Sequence, residues 1–273
     1  MADIDEILLN KYAKLKSYIG EFGKLAVAYS SGVDSTFLLF AAKEALGDNV
    51  VAITSCSASF PAREKKEAAD FCSKYGIKQL VFESNELEKE EYAVNPSNRC
   101  YICKKALFTG MLELAKSEGI FVVAEGSNLD DDGDYRPGLK AISELGIKSP
   151  LRKLEFTKQE IRELSKYLGL PTWSKSSFAC LASRFPYGER ITADRLNMVE
   201  RAENYLMALG LKQFRVRIHG GTLARIELLP DDFERVMNPK VRNDIYEEFG
   251  RIGFSYTALD LKGYRTGSMN ETL

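Results

Sequence analysis

The sequence lacks a strong charge of either sign, a long apolar run and more than a few cysteines or prolines. The formal net charge is −1 with 28% charged residues, so no overall basic field favours a nucleic-acid partner. No apolar stretch approaches the roughly 20 residues of a membrane span. The acidic, amphipathic start "MADIDEILLNKY" is unlike a secretory signal. We therefore expect a soluble, cytoplasmic protein with no membrane partner.

The cysteines are few and odd in number, which fits a reducing compartment better than a disulfide framework. They are Cys56, Cys72, Cys100, Cys103 and Cys180. Cys100 and Cys103 form a Cys-x-x-Cys pair in "NRCYICK". Such a pair can bind a metal, act as a thioredoxin-like redox pair, form a disulfide, or consist of two structural cysteines on one helical turn. The spacing alone leaves these interpretations open.

Apolar strands and amphipathic helices alternate along the first part of the chain. Strands are predicted within 24–30, 50–55, 78–84 and 120–128. The alternation predicts an α/β fold, a parallel sheet with helices on both faces and ligands beyond the carboxyl ends of the strands. A first helix is predicted over 5–20 from apolar residues at helical spacing, namely Ile7, Leu8, Tyr12, Leu15 and Ile19.

The last part of the chain has a different pattern, with helix, two alternating strands, helix and strand, and it predicts a small α+β domain. Between the two parts, a helix is expected after Thr157, where Glu160 completes the spacing of a capping box. The stretch after this helix has weak periodicity and many small polar residues. We therefore predict two domains, over residues 1–185 and 186–273.

A polar turn, Ser30-Ser31-Gly32-Val33-Asp34-Ser35, lies between the first predicted buried strand and a predicted helix. Backbone N–H groups at such a turn and the positive helix end form an anion site. The three serine hydroxyls are further donors, and Asp34 is suited to hold Mg²⁺ on a pyrophosphate. The alternative is an ordinary strand-to-helix turn capped by Ser35.

This turn resembles the phosphate loop of the N-type ATP pyrophosphatases, which contains Ser-Gly-Gly-x-Asp-Ser. That resemblance implies cleavage of ATP between the α and β phosphates, adenylylation of an oxygen and release of pyrophosphate. Ser31 stands where that family usually has its first glycine, a change that is sterically mild only with a negative φ. No Gly-x-x-x-x-Gly-Lys-Ser sequence indicates an ordinary nucleotide triphosphatase loop.

Further segments over nearly the whole chain resemble the LarE family, ATP-dependent sulfur transferases that build the nickel-pincer nucleotide cofactor of lactate racemase. Two of the matching motifs are Asp134-Tyr135-Arg136-Pro137-Gly138 and Ser183-Arg184-Phe185-Pro186-Tyr187-Gly188. The resemblance implies an adenine nucleotide alpha hydrolase-like fold. It also implies that pyridinium-3,5-biscarboxylic acid mononucleotide, a small-molecule nucleotide, is adenylylated on a carboxylate, and that sulfur then replaces AMP to give a thiocarboxylate.

The resemblance assigns residues to ATP and to the anionic groups of the substrate. The nucleotide and substrate set is Ser30, Ser31, Gly32, Asp34, Ser35, Gly126, Arg136, Ser183, Arg184, Arg215 and Arg217. Arginine forks suit phosphate and carboxylate, although "RVR" alone is more often two solvated arginines on one strand face. Glu203, Glu227 and Asp232 are either carboxylates near a divalent ion or plain surface charges. His219 is either a general base or, more simply, a structural residue.

The sulfur source divides the family into two types. In one, a single cysteine five residues before the Ser-Arg-Phe-Pro arginine gives up its own sulfur; that position is Ala179 here, and Cys180 follows it. In the other, three cysteines hold a 4Fe-4S cluster whose open iron carries sulfide. Cys100, Cys103 and Cys180 are therefore predicted as the cluster ligands and, with Asp34, as the catalytic residues.

Zinc at the Cys-x-x-Cys pair would need a fourth ligand that neither the remaining cysteines nor His219 is placed to supply. Cys72 lies among apolar helix residues and is expected to be structural. Cys56 either lines the adenine pocket or simply ends a strand. Two rival functions remain: a tRNA thiolation enzyme of the same superfamily, and a non-catalytic carrier of metal or sulfur. We expect ATP, Mg²⁺ and the cluster as cofactors, an external sulfide donor, no nucleic-acid partner and a homo-oligomer.

Overall fold

The computed structural model describes residues 4–133, 137–176, 180–265 and 267–272. Its helices are α1 (Glu6–Gly20), α2 (Val33–Leu46), α3 (Ala62–Lys74), α4 (Glu90–Ala93), α5 (Arg99–Ser117), α6 (Pro137–Glu144), α7 (Pro150–Lys153), α8 (Lys158–Tyr167), α9 (Ala193–Ala208), α10 (Phe233–Met237) and α11 (Pro239–Ile252). Its strands are β1 (Leu25–Ala28), β2 (Val50–Cys56), β3 (Lys78–Glu83), β4 (Val123–Ala124), β5 (Phe214–His219), β6 (Leu223–Leu228) and β7 (Tyr256–Leu259).

Residues 1–84 and 100–177 form a first compact unit built around a parallel sheet. The strand order is β3-β2-β1-β4, and each neighbouring pair is parallel. Every predicted strand of the first part is present, although β4 is only two residues long. The parallel order confirms the predicted α/β class, because parallel neighbours require crossover connections of the kind that the helices supply.

Helices cover both faces of this sheet, as the alternation of burial along β1 shows. Leu25 and Val27 belong to one apolar cluster, with residues of α1, α2 and α8. Ala26 between them belongs to a second cluster, which contains Phe108 and Met111 of α5. Successive strand residues point to opposite faces, so one apolar run supplies two cores. This explains why the run is continuous rather than alternating.

The helix starts follow the local sequence closely. Asp5 caps α1 by accepting from the backbone N–H of Ile7 at 2.9 Å, and the capping box of Thr157 and Glu160 is present at the start of α8. One expectation for α1 was wrong: Ile7 was placed on the apolar stripe, but it is 75% exposed. Leu8, Tyr12, Leu15 and Ile19 form the buried stripe instead.

Residues 85–99 and 178–273 form a second compact unit. Its sheet has the order β5-β6-β7, antiparallel between β5 and β6 and parallel between β6 and β7. Helix α9 packs on β5, and α11 contacts α9 and β7, so the predicted small α+β arrangement is present. The backbone N–H of Ile191 donates to Ala93 O at 2.8 Å, which ties segment 85–99 to this unit.

The predicted domain division, 1–185 and 186–273, concerns which parts fold independently and stays a prediction. Within the described ranges, no helix has the length and apolar character that crossing a membrane requires.

Candidate functional site

The predicted phosphate loop occupies the turn between β1 and α2. Gly32 is the N-cap of α2 and makes no side-chain capping bond, so the alternative in which Ser35 caps the helix is wrong. Ser35 Oγ accepts from Ser30 N at 3.3 Å and lies 3.1 Å from Ser30 Oγ, closing the turn on itself. Ser31 has a φ of +52°. The negative φ that would make a serine sterically mild there is absent.

Asp34, the second residue of α2, is held by two side chains from later elements. Its Oδ2 forms an ion pair with Lys158 Nζ at the start of α8. Its Oδ1 accepts from Asn128 Nδ2 at 3.3 Å. The backbone N–H of Lys158 donates to Asp130 Oδ2 at 2.7 Å. The turn after β4 and the start of α8 therefore meet at the predicted Mg²⁺ ligand, at the carboxyl edge of the parallel sheet.

Gly126 contributes to this site through close approach rather than through a side chain. A Cβ built on it would lie 3.0 Å from Ser35 N and 3.1 Å from Asp34 C. These are backbone atoms of the first turn of α2, and they cannot rotate away as a side chain can. Only glycine lets the turn after β4 pack this tightly on the phosphate loop.

Lys175 lies on the other side of the loop and was not predicted. Its Nζ donates to the carbonyl of Ser31 at 3.0 Å. It also pairs with Glu67 at 2.5 Å and lies 3.7 Å from Glu64. Sequence reasoning missed Lys158, Asn128 and Lys175 because each is an ordinary polar residue of a turn or helix start. The nearest signal was the capping box beside Lys158.

In the second unit, Arg184 and Glu203 form a buried ion pair. Arg184 Nε lies 2.8 Å from Glu203 Oε1, and Nη2 lies 3.0 Å from Oε2. Arg184 has no exposed surface and Glu203 is 2% exposed. Burial opposes ionisation of Glu203, but Arg184 and the N–H of Val216 outweigh it and lower the pKa of Glu203. The pair is therefore ionised in the fold.

Arg217 forms a second buried network beside Arg184. Its Nη2 donates to Glu227 Oε2 at 2.8 Å and to Ser268 Oγ at 2.9 Å, and its Nη1 donates to Ser183 O at 2.8 Å. Ser268 Oγ donates onward to Glu227 Oε1 at 2.9 Å. Burial lowers the pKa of Arg217, with the Glu227 carboxylate opposing the shift.

Arg215 completes the arginine cluster, which consists of Arg184, Arg215 and Arg217. It donates to Phe214 O at 2.6 Å, and its guanidinium lies 4.9 Å from the ring centre of Tyr264. Burial and the nearby Arg184 lower its pKa to about 10. The cluster thus places three buried arginines against two buried glutamates, and an anion would relieve the repulsion among the three cations.

The predicted cluster cysteines are divided between the two units. Cys100 and Cys103 are half-buried residues of the first turns of α5, and Cys180 is exposed just before the short 3₁₀ turn Leu181–Arg184. None of the five cysteines forms a disulfide. Among the residues with described positions, no three His, Cys, Asp or Glu side chains form a group suited to a metal ion.

The remaining candidates have ordinary surroundings or lie outside the described residues. Arg136 and Ala179 fall in the undescribed segments 134–136 and 177–179. His219 Nε2 accepts from Arg225 Nε at 3.1 Å, and burial followed by the Arg225 charge lowers its pKa. Cys72 is buried in the first unit, which raises its pKa to about 11. Cys56 ends β2 and is half-buried.

No model of a known protein family matches this chain. It is 42% identical to an uncharacterised protein of Synechocystis sp. over 98% of this chain and 99% of that protein. It is 37% identical to the pyridinium-3,5-bisthiocarboxylic acid mononucleotide synthase of Lactiplantibacillus plantarum over 97% of this chain and 96% of that protein. A weaker similarity, 26%, links it to a glutamine-hydrolysing GMP synthase of Thermoplasma volcanium over 55% of this chain and 53% of that protein.

Proposed function

Since this chain belongs to the LarE family, that of the pyridinium-3,5-bisthiocarboxylic acid mononucleotide synthase, we propose that it is an ATP-dependent sulfur transferase acting on a pyridinium carboxylate mononucleotide. The observation that carries the proposal is the 37% identity to that synthase over nearly the full length of both chains. The adenine nucleotide alpha hydrolase-like fold, shared with the more distant relatives, supports ATP as the activating substrate.

The first step of the proposed reaction occurs at the phosphate loop. A carboxylate oxygen of the substrate attacks the α-phosphorus of ATP, the bond to the β-phosphate oxygen breaks, and pyrophosphate leaves. The loop residues Ser30, Gly32 and Ser35 bind the leaving phosphates through N–H and hydroxyl donors. Mg²⁺ would bind to Asp34, whose oxygen ligands suit a hard cation, in exchange for Lys158.

The second step replaces AMP by sulfur. A sulfur nucleophile attacks the carbonyl carbon of the acyl-adenylate, and AMP leaves with the bonding electron pair. The arginine cluster is proposed to bind the phosphate or carboxylates of the pyridinium nucleotide. Its excess of cations supports this role, and so does Arg217 Nε, which is buried and has no hydrogen-bond partner among the described residues.

Cys100, Cys103 and Cys180 remain our proposed sulfur-handling residues. The donor set has suitable chemistry for a 4Fe-4S cluster, since it offers three thiols outside any disulfide, each with some exposed surface. The described residues do not assemble three metal ligands, so we derive no step from the cluster. When bound, such a cluster would supply an iron that carries sulfide from an external donor. We also expect a homo-oligomer.

Pyrophosphate release tests the proposed activity directly. The protein, with ATP, Mg²⁺ and pyridinium-3,5-biscarboxylic acid mononucleotide, should release pyrophosphate and, with sulfide, form a thiocarboxylate detectable by mass spectrometry. Asp34→Asn should slow release by roughly two orders of magnitude, as expected for loss of a charge-stabilising group. Asp48→Asn is the matched control, because Asp48 is a fully exposed acid of the same unit. Absence of pyrophosphate release, with a salt-dependent shift of tRNA, would instead support the tRNA thiolation enzyme.

Iron content tests the cysteine assignment separately from activity. After anaerobic reconstitution with iron and sulfide, Cys100→Ala, Cys103→Ala and Cys180→Ala should each lose iron. Cys72→Ala should keep it, because that thiol is buried and its pKa is raised. A colourless protein with stoichiometric zinc would contradict the cluster. Loss of one sulfur from Cys180 after turnover, leaving dehydroalanine, would show that Cys180 is itself the donor.

A further inference from the structure

Ser31 adopts a backbone conformation that serine rarely takes. Its φ is +52°, and its side chain is almost completely buried in the phosphate loop. Left-handed backbone is unfavourable for any residue with a Cβ, and glycine avoids this penalty. A serine is therefore left-handed here only if surrounding contacts hold it. The same residue decides how the N–H groups at the start of α2 are presented, because it immediately precedes the N-cap.

Lys175 supplies such a contact. Its Nζ lies 3.0 Å from the Ser31 carbonyl oxygen and 3.4 Å from Ser31 Oγ. Both contacts are to the residue with the unfavourable φ. A charge-assisted hydrogen bond to a carbonyl restricts rotation about the adjacent backbone bonds, so it favours the conformation in which the carbonyl faces the ammonium group.

Lys175 is itself fixed from three directions. Glu67 Oε2 lies 2.5 Å and Glu64 Oε1 lies 3.7 Å from its Nζ. Arg162 Nη2 donates to its carbonyl oxygen at 2.8 Å. Glu64 is buried, which raises its pKa, while Lys175 acts in the opposite direction. The ammonium group therefore stays beside Ser31 instead of moving freely in solvent.

We propose that Lys175 is a positioning residue that holds Ser31 in the left-handed conformation and thereby shapes the phosphate loop for ATP. Its importance depends on the serine, because a glycine at position 31 would adopt the same φ without help. The inference rests on the proposed function only in taking ATP as the ligand. It predicts a specific dependence: the loss of Lys175 should matter with Ser31 present and should matter far less after Ser31→Gly.

The test compares Lys175→Met, Ser31→Gly and the double variant by calorimetric titration of Mg·ATP without the carboxylate substrate. Lys175→Met should weaken binding about tenfold, a typical effect of losing one charge-assisted hydrogen bond. Ser31→Gly should bind like the unaltered protein. The double variant should bind within about threefold of Ser31→Gly, since glycine keeps the loop shape. A double variant about tenfold weaker than Ser31→Gly would overturn the proposal.

Lys43→Met is the matched control. Lys43 Nζ also donates to the carbonyl of a left-handed residue, Gly76, at 2.9 Å and pairs with an acid, Asp48. It lies in the last turn of α2, far from the loop, and its left-handed partner is already glycine. It should leave Mg·ATP affinity unchanged, and an equal loss of affinity there would overturn the assignment to Lys175.

Amide hydrogen exchange of residues 31–35 without nucleotide separates this inference from the proposed function. Lys175→Met should speed exchange about tenfold, while adding it to Ser31→Gly should have little effect. Lys175→Arg should keep slow exchange, because the cation is retained. If the unaltered protein binds no ATP, the proposed function fails while the exchange result still decides the role of Lys175. Unchanged exchange in Lys175→Met would overturn the inference.

Discussion

Replacing Glu203 with glutamine tests whether the buried pair with Arg184 is a main source of stability in the second unit. The substitution keeps the shape of the side chain and an oxygen that can accept from the N–H of Val216, which now bonds Glu203 Oε1 at 3.1 Å. What it removes is the negative charge. Arg184 would then be a fully buried cation without its bidentate carboxylate. Breaking such a pair typically costs about 3–5 kcal/mol.

We expect a loss of about 3 kcal/mol in the free energy of unfolding, the lower end of that range, because glutamine still accepts hydrogen bonds. Urea denaturation at neutral pH measures it. Glu90→Gln is the matched control, since Glu90 also makes a bidentate pair with an arginine, Arg190, in the same unit, but with side chains 69% and 55% exposed. That control should lose less than about 1 kcal/mol. Equal losses in the two variants would refute the reasoning.

Acid provides an independent check of the same pair. The pKa of Glu203 is lowered in the fold, so its ionised form stabilises the native state above its ordinary value of 4.5. This stabilisation disappears as the pH falls through the lowered pKa. The difference in unfolding free energy between the unaltered protein and Glu203→Gln should therefore shrink in acid. A difference that stays constant down to strongly acidic pH would mean that the charge is not the cause.

Two further predictions use other parts of the molecule. Gly126→Ala should weaken Mg·ATP binding about tenfold through overpacking against the loop backbone, measured by calorimetry; Gly250→Ala, with open space around its Cβ position, should not, and equal effects would contradict the close-approach argument. His219→Asn should flatten the fall in unfolding free energy between pH 7 and 5: the pKa of His219 is lowered, so neutral His219 stabilises the fold above its unfolded value near 6.5, and that contribution is lost as the pH falls through the folded value. An unchanged pH profile would exclude this role of His219.

The fold could be predicted because its signals are local. The continuous apolar run of β1 supplies both faces of a covered sheet, and the turn residues after it mark the carboxyl edge where ligands bind. Thr157 and Glu160 identify a helix start from two side chains three residues apart. Each of these patterns depends on neighbours in sequence, so a single chain without relatives was enough.

The partners within the candidate site could not be predicted, because they are distant in sequence. Lys158 meets Asp34 across 124 positions and Lys175 meets Ser31 across 144. A lysine at a helix start or in a polar stretch is, taken alone, a solvated charge. Only the tertiary structure distinguishes these two lysines from the many others in the chain. The glutamates that pair with Arg184 and Arg217 were hidden for the same reason.

Ser31 shows how a local departure and a distant contact explain each other. The sequence presented a serine where a phosphate loop of this type usually has glycine, and steric reasoning alone made its conformation the uncertain element. The structure gives a positive φ and, at the same residue, a lysine bonded to the carbonyl. A glycine loop would need no such contact, because its backbone adopts that region without penalty. The bond from Lys175 is therefore expected to accompany serine at this position, and Ser31→Gly should make it dispensable.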